Sequence, residues 1–220
     1  MDRADREVGI PLIRMYANKP IIGLAGGIGS GKSFIARCFA EAGCYVIDSD
    51  KQVKAAYRDP KILQTLRQWW GDEAFLENGE IDRVFIANTI FADRAERVRL
   101  EQLLHPWVNA ARVREMAEAI KNDSPVAFVW DTPLLFEAGL AGECDYVIFV
   151  DVPEETRLQR VAQSRGWDEA ELKRREKLQW PLYKKRDISD YVQSNTADAA
   201  LARDQVREII PRILAQIAQQ

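Results

Sequence analysis

The stretch that most restricts the fold is Gly26-Gly27-Ile28-Gly29-Ser30-Gly31-Lys32-Ser33, a G-x-x-x-x-G-K-[ST] loop entered from the apolar run Ile21-Ile22-Gly23-Leu24-Ala25. Its context is a buried strand before it and the first turn of a helix after it. The glycines permit positive φ, so successive backbone N–H groups converge on phosphate oxygens with no side chain in the way. Lys32 then sets a cation beside the β- and γ-phosphates, Ser33 offers a hydroxyl to Mg2+, and the helix turns its positive dipole end to the anion. Ile35, Phe39 and Ala42 share one face of that helix, and Gly43 suits its C-terminal cap. The loop predicts a nucleoside triphosphate as ligand; where the γ-phosphate goes must be read elsewhere.

At 220 residues the chain suits one α/β domain with insertions, or a core with two small lobes. With 31 Lys+Arg against 34 Asp+Glu, the net charge of −3 argues against general nucleic-acid affinity. Cys38, Cys44 and Cys144 form no C-x-x-C pair, and a single histidine leaves too few ligands for zinc, so reduced thiols and a cytoplasmic location are expected. No apolar run approaches the roughly 20 residues that span a bilayer, so no membrane partner is expected; the charged start, Met1-Asp2-Arg3-Ala4-Asp5-Arg6-Glu7, is unlike a signal peptide. Residues 1–19, including Pro11-Leu12-Ile13-Arg14-Met15-Tyr16, read as a disordered extension.

Beyond the first helix, Cys44-Tyr45-Val46-Ile47 reads as a second strand ending in Asp48-Ser49-Asp50. Ligands of open α/β sheets bind outside the carboxyl ends of the strands, so an Asp here is placed to act on a substrate hydroxyl. If the strand stays extended, Asp48 and Asp50 share a face; the competing role is capping the helix that follows. From about Pro60 to Asp123 the pattern is helical with scattered aromatics, interrupted by the Asn78-Gly79 turn, and reads as a substrate lobe inserted between strands. His105, the only histidine, precedes Pro106, which is expected to push it out of helical geometry; a structural role is the alternative for it.

Val126-Ala127-Phe128-Val129-Trp130 is a third buried strand, and Asp131 at its end is the candidate for the Mg2+ shell. Pro133-Leu134-Leu135-Phe136-Glu137 follows, with Glu137 either functional or solvated, and Asp145 to Asp151 is a fourth strand. Glu154 to Asp187 is helical and crowded with cations. Such a run is commonly a solvated face, but phosphoryl transfer calls for positive charge at this place, and Arg160 and Arg165 are expected to reach the phosphates. Closure of this segment would exclude water. Asp190-Tyr191-Val192-Gln193-Ser194-Asn195 is a short edge strand, and Ala199 to Ala218 an amphipathic helix kinked at Pro211.

Over about residues 21–217 these motifs resemble the dephospho-coenzyme A kinases. The likeness rests on the loop, Val46-Ile47-Asp48-Ser49-Asp50, Asn78-Gly79-Glu80-Ile81-Asp82-Arg83, Leu103-Leu104-His105-Pro106 and Pro133-Leu134-Leu135-Phe136-Glu137. It continues through Arg160, Arg165, Arg175, Gln179 and Lys185 to Asp190-Tyr191-Val192 and Asn195. The resemblance implies a P-loop NTPase/kinase fold, a three-layer α/β/α sandwich on a five-stranded parallel sheet with a helical coenzyme A lobe and a lid. The core would comprise 20–59, 124–153 and 188–220, the lobe 60–123 and the lid 154–187.

It further implies ATP and Mg2+, dephospho-coenzyme A as small-molecule partner, and transfer of the γ-phosphate to the ribose 3′-hydroxyl; oligomeric state stays open. Asp50 would be the base or hydroxyl-orienting residue, acting with Lys32 and Arg160. Gly27, Gly29, Ser30, Gly31, Lys32, Ser33, Phe34, Arg160, Arg165 and Asn195 would bind ATP, with Asn195 at the base region. Arg83, His105 and Glu137 would face the acceptor, and Ser33 and Asp131 the metal. The chain departs from the pattern at Phe34, Lys54, Arg157, Ser189 and Gln193. Two rivals remain: another small-molecule kinase of this fold, and a nucleotide-binding switch that transfers nothing.

Overall fold

The structure, a computed structural model, describes residues 15–196 and 198–219; most of the 1–19 extension lies outside the described residues. Tyr16 and Lys19 exchange backbone hydrogen bonds of 3.0 Å across a tight turn, and the Tyr16 ring meets Phe128 edge-on at 5.8 Å.

Strand β1 (Ile21–Gly26) is buried at every position, as an all-apolar run must be when the sheet is covered on both faces. It is flanked in parallel register by β3 (Phe128–Asp131) and β4 (Tyr146–Asp151), and β4 in turn carries β5 (Tyr191–Ser194). With β2 (Tyr45–Asp48) on the far side of β3, the sheet is five-stranded and parallel in the order β2-β3-β1-β4-β5. The carboxylates of Asp145 and Asp190, each just before a strand, accept from the Ile21 and Val147 N–H groups at 2.7 Å. They fix the amino ends of β1 and β4.

Helix α1 (Lys32–Glu41) and helix α9 (Ala199–Ala218) pack together, and Ile35, Phe39, Val206, Ile210 and Ile213 bury with Ile22 and Leu24 in one core. Each such side chain contributes on the order of 1.5–3 kcal/mol by leaving water. The α1 stop is as expected: Gly43 has φ of 88°, and the Cys44 N–H reaches back to the Phe39 carbonyl at 3.0 Å. As expected, β5 is an edge strand. Its Gln193 is fully buried, its amide donating to the Ala202 carbonyl at 3.0 Å, which joins β5 to α9. Helix α9 continues on both sides of the exposed Pro211.

The chain divides into two compact units, one of residues 48–117 and the other holding the sheet and the remainder. The smaller is built from α2 (Ser49–Ala56), α3 (Pro60–Trp70), α4 (Arg83–Ala92) and most of α5 (Arg94–Asn122), around a core of Ala56, Ile62, Leu66, Ile86, Leu100 and Leu104. Asp59 and Asp82 cap α3 and α4, and the second oxygen of Asp59 accepts from the Trp107 indole at 2.9 Å.

Two expectations are corrected here. Strand β2 ends at Asp48 instead of extending through Asp50. Asp48 is the cap of α2, accepting from Lys51 N–H at 3.0 Å, because a side chain three residues ahead of an orphan N–H reaches it best. Nor does Pro106 displace His105 from helical geometry: α5 runs through both. His105, Pro106 and Gln102, whose carbonyl the proline deprives of a donor, are all exposed, on a side of the helix where water can take up that carbonyl. Among the described residues no helix is long and apolar enough to cross a membrane.

Candidate active site

Gly29 and Gly31 both stand at φ of 78°, where a side chain is strained, and space forbids one as well. A Cβ on Gly29 would lie 2.7 Å from the Arg157 carbonyl oxygen, and one on Gly31 2.5 Å from the Asn195 amide nitrogen. The loop's carbonyls are held by side chains of the loop itself, of Asn195 just after β5 and of Arg160. Lys32 Nζ makes long contacts to Gly26 O and Gly27 O at 3.4 and 3.5 Å, and Asn195 Nδ2 donates to Ser30 O at 2.7 Å. Arg160 donates to Ser30 O at 3.3 Å, to Asn195 O at 2.9 Å and to the Thr196 carbonyl. Ser30 spends its own N–H on the Gly27 carbonyl at 3.1 Å; with carbonyls turned away, the other loop N–H groups are left to face an anion.

The ordinary Lys32 pKa is pulled down to about 8, chiefly by burial of the ammonium. The Asp131 carboxylate is the strongest opposing influence, and the charges of Lys185, Glu137 and Arg165 also reach it. Asp131 ends β3 at the level of Leu24, which sets it among the strand ends beside the loop. Ser33 is exposed on the first turn of α1. A hydroxyl and a carboxylate are hard oxygen donors, the set Mg2+ prefers. Phe34 spends its N–H on the Gly31 carbonyl at 2.9 Å, and its ring packs on the α1–α9 core between the guanidiniums of Arg37 and Arg203.

Helices α6 (Glu154–Arg165), α7 (Glu169–Glu176) and α8 (Leu182–Asp187) form the cation-rich segment. Arg165 and Arg175 stack on the Trp167 ring, at 4.7 and 4.1 Å from its centre. Glu137, far from solvated, pairs through Oε1 with the buried Lys185 at 2.6 Å and accepts from Trp180 N–H at 2.8 Å. Its buried Oε2 has no partner among the described residues, and Lys185 also donates to Gln179 at 3.2 Å. Sequence reasoning named Lys185 and Arg157 as part of the resemblance, one as a match and the other as a departure, gave neither a site role and passed over Glu176, which pairs with Arg157 beneath the loop. The available signal was spacing, since Arg157 and Arg160 are three apart on one helix face.

In the smaller unit, Asp50 is exposed in the first turn of α2, Arg83 opens α4, and His105 is exposed on α5. The charge of Arg83 is felt at Tyr57, whose hydroxyl burial holds above its usual pKa.

A phosphate loop after the central strand of a parallel α/β/α sheet, with a cationic helical segment after β4, defines the class of P-loop kinase folds. The sequence profile of the dephospho-CoA kinase family matches residues 20–200, and the chain belongs to that family. These enzymes phosphorylate dephospho-CoA in the last step of coenzyme A biosynthesis. A dephospho-CoA kinase of Syntrophotalea carbinolica is 35% identical over 196 residues, covering 88% of this chain and 92% of its own. A crystal structure of a Thermus thermophilus protein superposes with a TM-score of 0.75 at 30% identity, over 90% of this chain and 97% of that one. The dephospho-CoA kinase of Campylobacter jejuni, 23% identical and with a TM-score of 0.64 over 90% and 98% of the two chains, shares the fold.

Proposed function

We propose that the chain transfers the γ-phosphate of ATP to the ribose 3′-hydroxyl of dephospho-CoA, with the phosphates held on the Gly27–Ser33 loop. The observation that carries this reading is the loop's own geometry: its carbonyls are tied back by Lys32, Arg160 and Asn195, which leaves the amides other than that of Ser30 for an anion. Gly27, Gly29 and Gly31 supply backbone N–H groups, with Ser30 in the turn between them, and Lys32, Arg160 and Arg165 offset the charge that spreads over the equatorial oxygens in the transition state. Asn195, with Phe34 on α1, borders the nucleotide. Ser33 and Asp131 would hold Mg2+, which neutralises charge on the β- and γ-oxygens when bound.

Asp50 follows the carboxyl end of β2 and orients or deprotonates the acceptor hydroxyl. Arg83, His105 and Glu137 face the acceptor. Residues 154–187 act as the lid, with cytoplasmic coenzyme A synthesis as the setting. The test is ADP release with Mg-ATP, with and without dephospho-CoA, and with AMP as control acceptor. Release that depends on dephospho-CoA is expected, with coenzyme A as product; release with AMP alone would redirect the proposal to a nucleotide kinase.

A pH dependence follows from Lys32. In the free protein its ammonium loses its proton as pH rises through about 8, whereas a bound triphosphate favours the charged form. Binding above that pH therefore takes up a proton, and the Kd for Mg-ATP rises with pH by at most about tenfold per unit. Titration calorimetry at pH 7 and 9 checks this; equal affinities would mean that Lys32 stays charged throughout.

A further inference from the structure

Arg157 has no part in the roles assigned above, yet it touches three consecutive residues of the loop. Its guanidinium donates to the Ile28 carbonyl at 3.3 Å and would lie 3.0 Å from a Cβ on Gly27, while its own carbonyl closes on Gly29. The residue is 3% exposed, its counter-ion is Glu176 at the end of α7, and its buried Nε has no partner among the described residues. Because a peptide is planar, the direction of the Ile28 carbonyl sets that of the Gly29 N–H, which points the opposite way. Arg160, one turn further along α6, holds the Ser30 carbonyl and so sets the Gly31 N–H. Two alternate peptides of the loop are thus gripped from one face of one helix.

We propose that Arg157 is a positioning residue for nucleotide phosphates: it keeps the Gly29 N–H turned toward the anion, with Glu176 of α7 as its counter-ion. The proposal rests on the nucleotide reading of the loop and adds a determinant of phosphate affinity supplied by α6 and α7. An ion pair of purely structural use matters through the charge left unpaired when one partner is removed. A grip on the Ile28 carbonyl matters whether or not Glu176 carries a charge.

The two roles separate in the full chain with Arg157→Gln, Glu176→Gln and the double variant, by measuring Kd for Mg-ADP and Tm. Arg157→Gln is expected to weaken Mg-ADP about tenfold and lower Tm, the affinity loss being that of one charge-assisted hydrogen bond. Glu176→Gln should stay within about twofold of the parent affinity, as expected of a partly exposed pair partner. The double variant, which leaves no charge unpaired and so keeps the fold, should recover Tm while its Mg-ADP affinity stays about tenfold low. Parent-like affinity in the double variant would overturn the proposal and leave the pair a structural one. A parent chain that fails to bind Mg-ADP would instead overturn the nucleotide reading on which the proposal stands.

Discussion

Asp50→Asn is expected to lower kcat for transfer to dephospho-CoA by about 10²- to 10⁴-fold, the usual range for loss of a positioned general base. The KM for ATP should change little, because in the proposed reading the phosphates are held by the loop and its cations and not by Asp50. Asn keeps the shape of Asp but cannot take a proton at neutral pH. The cap of α2 survives the change, since it is Asp48; the helix-dipole part of the cost of a carboxylate lost from an exposed first turn is about 0.3–1 kcal/mol. Steady-state ADP release at saturating ATP gives kcat, and an unchanged value would remove Asp50 from the chemistry. A rise in KM for dephospho-CoA at constant kcat would instead make it a binding residue.

Lys32→Met should lower kcat by about 10²- to 10³-fold or more, the scale of losing one preorganised charge at a developing anion. The same change should raise Tm. The ammonium lies where burial already lowers its pKa to about 8, so the free protein bears a desolvated charge that Met, of similar length and apolar, does not. Lower activity together with higher thermal stability would mark Lys32 as kept for chemistry. Lower Tm with modest loss of activity would mean that its contacts to Gly26 and Gly27 matter more to the fold than to the reaction.

The parts of this molecule legible in its sequence are those governed by local rules. A continuous apolar run, a glycine-rich turn and a helix stop at Gly43 are set by neighbours within a few residues, and β1, the loop and α1 stand as expected. The capping of α2 was less readable, because Asp48 and Asp50 both suit an N-cap by type and only the backbone decides which one reaches an orphan N–H. Pro106 was misjudged because the rule for the residue before proline ignores that an exposed helix face can hydrate the freed carbonyl. The partners of Glu137 and Arg157 were beyond reach for a different reason. Lys185 lies 48 positions from Glu137 and Ile28 lies 129 positions from Arg157, and no periodicity connects residues so far apart. Composition described 154–187 as a charge run; packing shows that Arg157 and Lys185 are inside it and nearly dry.

Trp167, clasped between Arg165 and Arg175, turns that same segment into a competition. A guanidinium on an indole face gains about 0.5–1 kcal/mol at an exposed site, so an anion that draws Arg165 away must outbid the ring and loses a factor of about two to five in affinity by doing so. An indole's emission responds to a charge beside it, so comparing the nucleotide-induced fluorescence change of the parent, with its six tryptophans, with that of Trp167→Phe tells whether nucleotide binding moves Arg165.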